Sequence, residues 1–172
     1  RSRPGDRIVV LDGSGWECLV TLESVGPEQV SGVITERVPA IGDPAVGITI
    51  YQGLLKADRF EFVLQKGTEL GISAFVPMLC SRSVSKDGTA AVKRNVRWRK
   101  IIAEAAEQSR RGRVPDLHDL VDFQGACDRV DGFAIIPWEQ ETDTGLKRAL
   151  ARARGSGGDL SRISVLIGPE GG

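Results

Sequence analysis

The sequence is short of the residues on which much enzyme chemistry leans. Of its 172 residues one is histidine (His118), one is tyrosine and one is methionine, and aromatic side chains make up only 5%. The cysteines, Cys18, Cys80 and Cys127, are odd in number and widely spaced, with no CxxC or Cys/His grouping. That pattern argues against a disulfide framework and a zinc site, and it leaves the thiols as small buried hydrophobes in a reducing compartment, with no metal expected. No apolar run approaches the roughly 18–20 residues needed to span a bilayer. No basic-then-apolar leader with a small-residue cleavage site is present, so a cytoplasmic location is expected. Net charge is missing too, because 23 Lys and Arg balance 23 Asp and Glu.

The balance conceals an asymmetry along the chain. Lys86, Lys93, Arg94, Arg97, Arg99, Lys100, Arg110, Arg111 and Arg113 face only Asp87, Glu104 and Glu107 in the same stretch, whereas Pro115 to Thr144 carries eight acids and one arginine. The basic stretch suits phosphates, or it is a solvated helix face balanced by its acidic neighbour. His118 lies in the acidic stretch and is not expected to act in catalysis.

Two grammars follow one another. Arg7-Leu11, Trp16-Leu22 and Gln29-Val38 are rich in Val, Ile, Leu and Thr, with turn signals at Asp12-Gly13-Ser14-Gly15 and Gly26-Pro27, which predicts a small β domain over residues 1–40. Pro39 to Pro44 reads as a linker. From Val46 onward strands alternate with amphipathic helices, the signature of a mostly parallel α/β sheet over residues 46–172. Strands are expected at Val46-Tyr51, Ala74-Cys80, Phe133-Pro137 and Ile163-Ile167. Helices are expected from an N-cap at Asp58 to near Gly71, from about Asn95 to near Gly112, and over Thr144-Arg154. Trp16 and Trp98 fit core positions.

Three segments are candidates for chemistry. Gly168-Pro169-Glu170-Gly171-Gly172 follows a buried strand, where glycine lets a ligand approach the backbone. It matches neither GxGxxG nor GxxxxGK[ST], and Pro169 lacks an N–H for a phosphate, so it is a ligand loop of another kind or a tight structural turn. On the second helix Glu104, Gln108 and Arg111 fall at i, i+4 and i+7, setting an acid, an amide and a guanidinium along one face. The same spacing also suits an ordinary exposed surface. Lys66-Gly67-Thr68-Glu69-Leu70-Gly71 reads by itself as a helix end.

Taken together and in order, Lys66 to Gly71, Glu104-Ala105-Ala106-Glu107-Gln108-Ser109 with Arg111 and Pro115, and Ile167 to Gly172 resemble the small-subunit ribosomal RNA uridine-N3 methyltransferases of the SPOUT superfamily. Arg1 to Arg7 with Asp12 to Gly15 is similar to the middle of that family's N-terminal PUA-like RNA-binding domain. The resemblance implies a small β-barrel, a SPOUT domain tied in a trefoil knot, S-adenosylmethionine as cofactor, a 16S ribosomal RNA substrate and a homodimer. Family segments on both sides, including a Leu-Arg-x-Glu-Thr stretch that completes the knot, lie outside this sequence, so the knot is expected to be incomplete in this chain.

The resemblance also suggests roles. Leu166, Ile167, Gly168, Glu170, Gly171 and Gly172, with Pro137 and Trp138, are expected at the cofactor. Arg111, Gln108 and Glu104 are expected at the uridine, and Arg1, Arg3, Lys66, Arg82, Arg97, Arg110 and Arg113 at RNA. A non-catalytic RNA-binding module and an α/β small-ligand protein of another family are the competing functions.

Overall fold

A computed structural model of the chain describes residues 2–81, 83 and 89–169. The chain divides into two compact units, Arg1–Asp43 with Ala106–Val114, and Pro44–Ala105 with Pro115–Gly172.

In the first unit, β1 (Arg7–Leu11), β2 (Trp16–Val25) and β3 (Val30–Pro39) form an antiparallel sheet in that order. The β1–β2 hairpin closes through the expected Asp12–Gly15 loop, where Gly13 and Gly15 take positive φ and the Asp12 carboxylate accepts from the backbone N–H of Ser14 at 2.9 Å. Register shifts between Leu19 and Val20 and between Leu22 and Ser24 bend β2, as bulges do. Among the described residues the sheet is open, where the resemblance implies a barrel. Cys18 and Leu22 are buried, but Trp16 keeps 38% exposure and is not the core residue expected.

In the second unit, β4 (Gly47–Gly53) leads through α1 (Ala57–Glu69) to β5 (Ala74–Leu79), and then to α2 (Thr89–Gln108), whose last three residues belong to the first unit. The long connection after Pro115 holds β6 (Asp116–Leu117), β7 (Val121–Asp122) and α3 (Phe123–Asp128). The chain then runs through β8 (Phe133–Ile135), α4 (Leu146–Gly155) and β9 (Arg162–Ile167). The sheet order is β6-β5-β4-β9-β8, with β7 beside β5, and every pairing is parallel.

Both faces of this sheet are packed at its central strands β4 and β5, as a parallel sheet requires. Alternation along β4 and β5 sends Ile50 and Phe75 to a core with Leu54, Phe60, Leu64, Trp98 and Ile102, and Tyr51 and Val76 to a second with Met78, Ala126 and Leu166. Each such burial contributes roughly 1.5–3 kcal/mol before entropy is counted. Phe60 and Trp98 join α1 to α2 with ring centroids 4.5 Å apart.

Helix ends differ from the sequence expectation in instructive ways. Asp58 is not the N-cap of α1: Lys56 occupies that position without a side-chain bond, and Asp58 sits in the first turn, where its charge suits the helix dipole. At the other end Ile72 N–H reaches Gly67 O at 2.9 Å and Gly71 N–H reaches Thr68 O at 3.1 Å, with Gly71 at φ +100. This is a Schellman motif ending where Gly71 predicted it. Helix α2 starts at Thr89 rather than Asn95 and stops at Gln108 rather than near Gly112. Its terminator is Arg110, at φ +54.

Candidate functional site

The connections from β4 through α1 to β5 and from β8 through α4 to β9 both step toward the β6 edge of the parallel sheet, which leaves β4 and β9 adjacent in its middle. Open α/β sheets take ligands outside the carboxyl ends of their strands.

There β4 and β9 end side by side, with Gln52 paired to Ile167. The next residues come closer than a side chain would allow: a Cβ on Gly53 would stand 2.8 Å from both N and Cδ of Pro169. Glycine at position 53 thus lets the loop after β9 lie on the end of β4. Pro169 is buried and Gly168 exposed. Gln52 is itself buried, and its amide donates to the carbonyl of Gly53 at 3.1 Å. Beside them β8 ends at Ile135, followed by exposed Ile136, Pro137 and Trp138; Trp138 keeps 62% exposure, and its carbonyl accepts from Glu141 N–H at 3.2 Å.

The expected cofactor residues are therefore of different kinds. Gly168, Pro137 and Trp138 stand exposed past the carboxyl ends of β9 and β8. Leu166 points into the core with Tyr51 and Met78, which leaves only its backbone to a ligand. Ile167 is half-buried at the last position of β9, and Glu170, Gly171 and Gly172 lie outside the described residues. On β5 the chain leaves through a tight turn in which the Cys80 N–H donates to Ser83 Oγ at 2.9 Å; burial pushes the Cys80 thiol above its usual range.

The Glu104, Gln108 and Arg111 row does not run as the helical spacing suggested. Glu104 is exposed on α2 with Lys100 Nζ 3.7 Å away, and Gln108 is exposed at the helix's last position. Arg111 lies beyond the end. The N–H of Arg111 closes on Ala106 O at 2.9 Å and that of Arg110 on Glu107 O at 3.1 Å, a second Schellman motif with arginine where glycine is preferred. The turn carries Arg111 off the helix face and into burial, where its Nε donates to Asp43 Oδ1 at 3.1 Å. Asp43, read in the sequence only as part of a linker, was missed because nothing local pairs it with a residue 68 positions away.

Glycines fix this turn within the first unit. A Cβ on Gly42 would collide with Arg110 O, and one on Gly112 with Ala40. Gly15 N–H donates to Gly112 O at 2.9 Å, and Ala40 N–H to Gly15 O at the same distance.

The basic candidates divide by partner. Arg97 is held by both carboxylate oxygens of Glu61 at 2.7 Å, which raises its pKa further, and Lys66 pairs with Glu69 at 2.8 Å. Pairs near the surface contribute little to stability. Arg3, Arg110 and Arg113 are exposed, while Arg1 and Arg82 lie outside the described residues. His118 is exposed. Cys18 is buried as expected, but Cys80 is only half-buried and Cys127 is exposed. Among the described residues no group of three or more His, Cys, Asp or Glu side chains is placed to hold a metal, and no helix is long and apolar enough to cross a membrane.

Comparison with known proteins bears on this architecture. Residues 43–172 match the model of the RNA methyltransferase domain. The whole chain aligns with ribosomal RNA small subunit methyltransferase E of Bacillus subtilis, 36% identical over 175 residues and covering 68% of that protein. It aligns with the protein of the same name from Mycobacterium bovis, 30% identical over 180 residues, all of this chain and 65% of the other. Among solved structures, ribosomal RNA small subunit methyltransferase E from Neisseria gonorrhoeae bound to S-adenosyl methionine superposes with a TM-score of 0.81 at 28% identity, over 99% of this chain and 68% of that one. The chain thus spans about two thirds of the length of these relatives. With the domain match covering most of its residues, and full-length similarity to a curated relative beside it, the chain belongs to the RNA methyltransferase family.

Proposed function

We propose that this chain carries out S-adenosylmethionine-dependent methylation of N3 of a uridine in 16S ribosomal RNA. The observation that carries the reading is the coincidence of two things. The chain is similar along its whole length to proteins named for small-subunit ribosomal RNA methylation, and its glycine loop at Gly168 rests on Gly53 at the adjoining carboxyl ends of two parallel strands.

The residues there fit a small polar cofactor in kind. An exposed glycine leaves backbone groups open to a ligand, and the neighbouring Ile136, Pro137 and Trp138 offer apolar surface. We assign Leu166, Ile167, Gly168, Glu170, Gly171, Gly172, Pro137 and Trp138 to holding it. When bound, S-adenosylmethionine supplies a methyl group on a cationic sulfur, and N3 of uridine must shed its proton to accept it. Arg111, permanently protonated and oriented by Asp43, is assigned to the developing uridine anion or the adjacent phosphate. Gln108 offers a donor and an acceptor to the base edge, and Glu104 positions the base or takes up the proton.

In this reading residues 1–40 act as part of a PUA-like RNA-binding domain. Residues 46–172 act as the SPOUT domain, with the loop after β9 as one of the cofactor-holding loops of the family's knot. The active unit is a cytoplasmic homodimer in which Arg111 serves the partner subunit's cofactor pocket. Arg1, Arg3, Lys66, Arg82, Arg97, Arg110 and Arg113 meet RNA phosphates.

Titration calorimetry with S-adenosylmethionine, followed by transfer of labelled methyl to 16S ribosomal RNA lacking the modification, tests the proposal. Mass spectrometry of the digested RNA is expected to show 3-methyluridine. A different methylated nucleoside refutes the position, and absence of both cofactor binding and transfer refutes the function.

A further inference from the structure

One aromatic side chain of the first unit is placed where neither core packing nor the proposed methyl transfer uses it. Trp16 opens β2 opposite Pro39, and the guanidinium of Arg37, diagonally across on β3, lies over its ring at 4.8 Å from the centroid. The indole nevertheless keeps 38% of its exposure. The residue before it, Gly15, is bonded to Gly112, and a Cβ there would stand 2.9 Å from Nε of exposed Arg113. One end of the three-stranded sheet thus collects an exposed indole, a guanidinium stacked on it and a second guanidinium beside the adjoining turn.

Acidic groups nearby offset this charge only in part. The carboxylate of Asp12 accepts from the backbone N–H and hydroxyl of Ser14, bonds that chiefly lower its pKa, and the charge of Arg37 is a lesser cause of the same sign. Asp43 is occupied by Arg111. Glu17 and Glu36 fall on the opposite face from Trp16 and Arg37 by strand alternation, since Glu17 adjoins Trp16 and Glu36 adjoins Arg37.

A stacking surface beside guanidinium groups is what single-stranded nucleic acid requires, because every base has a π face and every linkage carries a negative charge. We infer that Trp16 and Arg37 form a stacking platform for an unpaired base of the RNA substrate, with Arg37 and Arg113 meeting the flanking phosphates. This rests on the reading that the substrate is RNA, and it adds a site that the methyl-transfer residues do not include. The platform recognises stacking rather than base edges, so it tolerates any base.

The test uses the full chain and a fluorescein-labelled single-stranded oligouridylate. Trp16→Ala is expected to weaken binding about tenfold or more, since base–aromatic stacking is lost, and Trp16→Phe to stay within about threefold. Arg37→Gln is expected to lower the salt dependence by roughly the 0.7 units in log K per log salt that one single-strand phosphate contributes. Because the alanine variant could lose stability, tryptophan emission supplies a second readout: oligonucleotide quenching seen in the wild type should fall in Trp16→Phe, the remainder coming from exposed Trp138. Wild-type affinity in a folded Trp16→Ala, or quenching unchanged in Trp16→Phe, overturns the platform and leaves the pair as a clamp within the sheet. S-adenosylmethionine calorimetry on the same proteins separates the two readings. Trp16-dependent RNA binding by a chain with no cofactor affinity keeps the platform and sinks the methyltransferase proposal.

Discussion

Nε of Arg111 donates to Oδ1 of Asp43 at 3.1 Å, and little water reaches the pair: the arginine side chain keeps 4% of its exposure and the aspartate 19%. An enclosed charge pair adds little net stability over an apolar one, but removing one member takes a charge-assisted hydrogen bond from the other.

Asp43→Ala is accordingly expected to lower unfolding free energy by about 3 kcal/mol, and Asp43→Asn by less, because the amide oxygen still accepts a hydrogen bond. Urea denaturation of the two variants checks this. An alanine variant as stable as the wild type shows that Asp43 does not anchor the turn.

Arg110 offers the opposite sign. A left-handed residue other than glycine carries a cost of about 1–2 kcal/mol, and Arg110 sits at φ +54 where a Schellman motif prefers glycine. Arg110→Gly is expected to recover up to about 1 kcal/mol, part being offset by the freer unfolded chain. If Arg110 meets RNA as proposed, the same variant binds RNA more weakly. Greater stability with reduced RNA affinity, from thermal melts and filter binding, is the outcome expected.

Gly53→Ala puts a Cβ 2.8 Å from Pro169 N and Cδ, so the loop after β9 has to lift off the end of β4. A stability loss of about 1–3 kcal/mol is expected, the usual range for overpacking. A larger proportional effect is expected on cofactor affinity, about tenfold or more by calorimetry. Unchanged affinity would separate this loop from the cofactor.

Tyr51 provides a pH dependence. Its hydroxyl donates to Arg129 O at 2.7 Å, and desolvation raises its pKa above 10.0. The unfolded chain therefore releases the tyrosine proton first as pH rises. Stability from this group is fully present below pH 10 and falls as pH climbs from the unfolded toward the folded pKa. Tyr51→Phe should flatten that alkaline limb while costing about 1 kcal/mol at neutral pH for the lost hydrogen bond. Urea titrations between pH 7 and 11 show whether it does.

Much of the second unit was legible because its signals are local. The apolar segment Ile163-Ile167 matches β9 to within a residue, and Gly71 stopped α1 by the same left-handed geometry that makes glycine a good terminator. The end of α2 was misread for the converse reason. Gly112 looked like the stop, yet it is glycine because a Cβ would strike Ala40, while Arg110 makes the turn. Sequence distinguishes poorly between a glycine that bends the chain and one that lets another segment approach.

Trp16 shows the same limit. Its place in an apolar strand suggested a core position, but burial depends on what covers a sheet face, and Arg37 covers it only in part.

The sequence by itself determined the switch from a β unit to a parallel α/β unit, the order of the motifs and hence the family, because periodicity and motif spacing survive without knowledge of distant contacts. Only the tertiary structure decided that Gly53 carries the Gly168-Pro169 loop, that Arg111 leaves its helix to meet Asp43, and that Trp16 stays exposed beneath Arg37. Each of these joins residues far apart in the chain, and whether a side chain is paired, buried or open is fixed by the neighbours that folding brings to it.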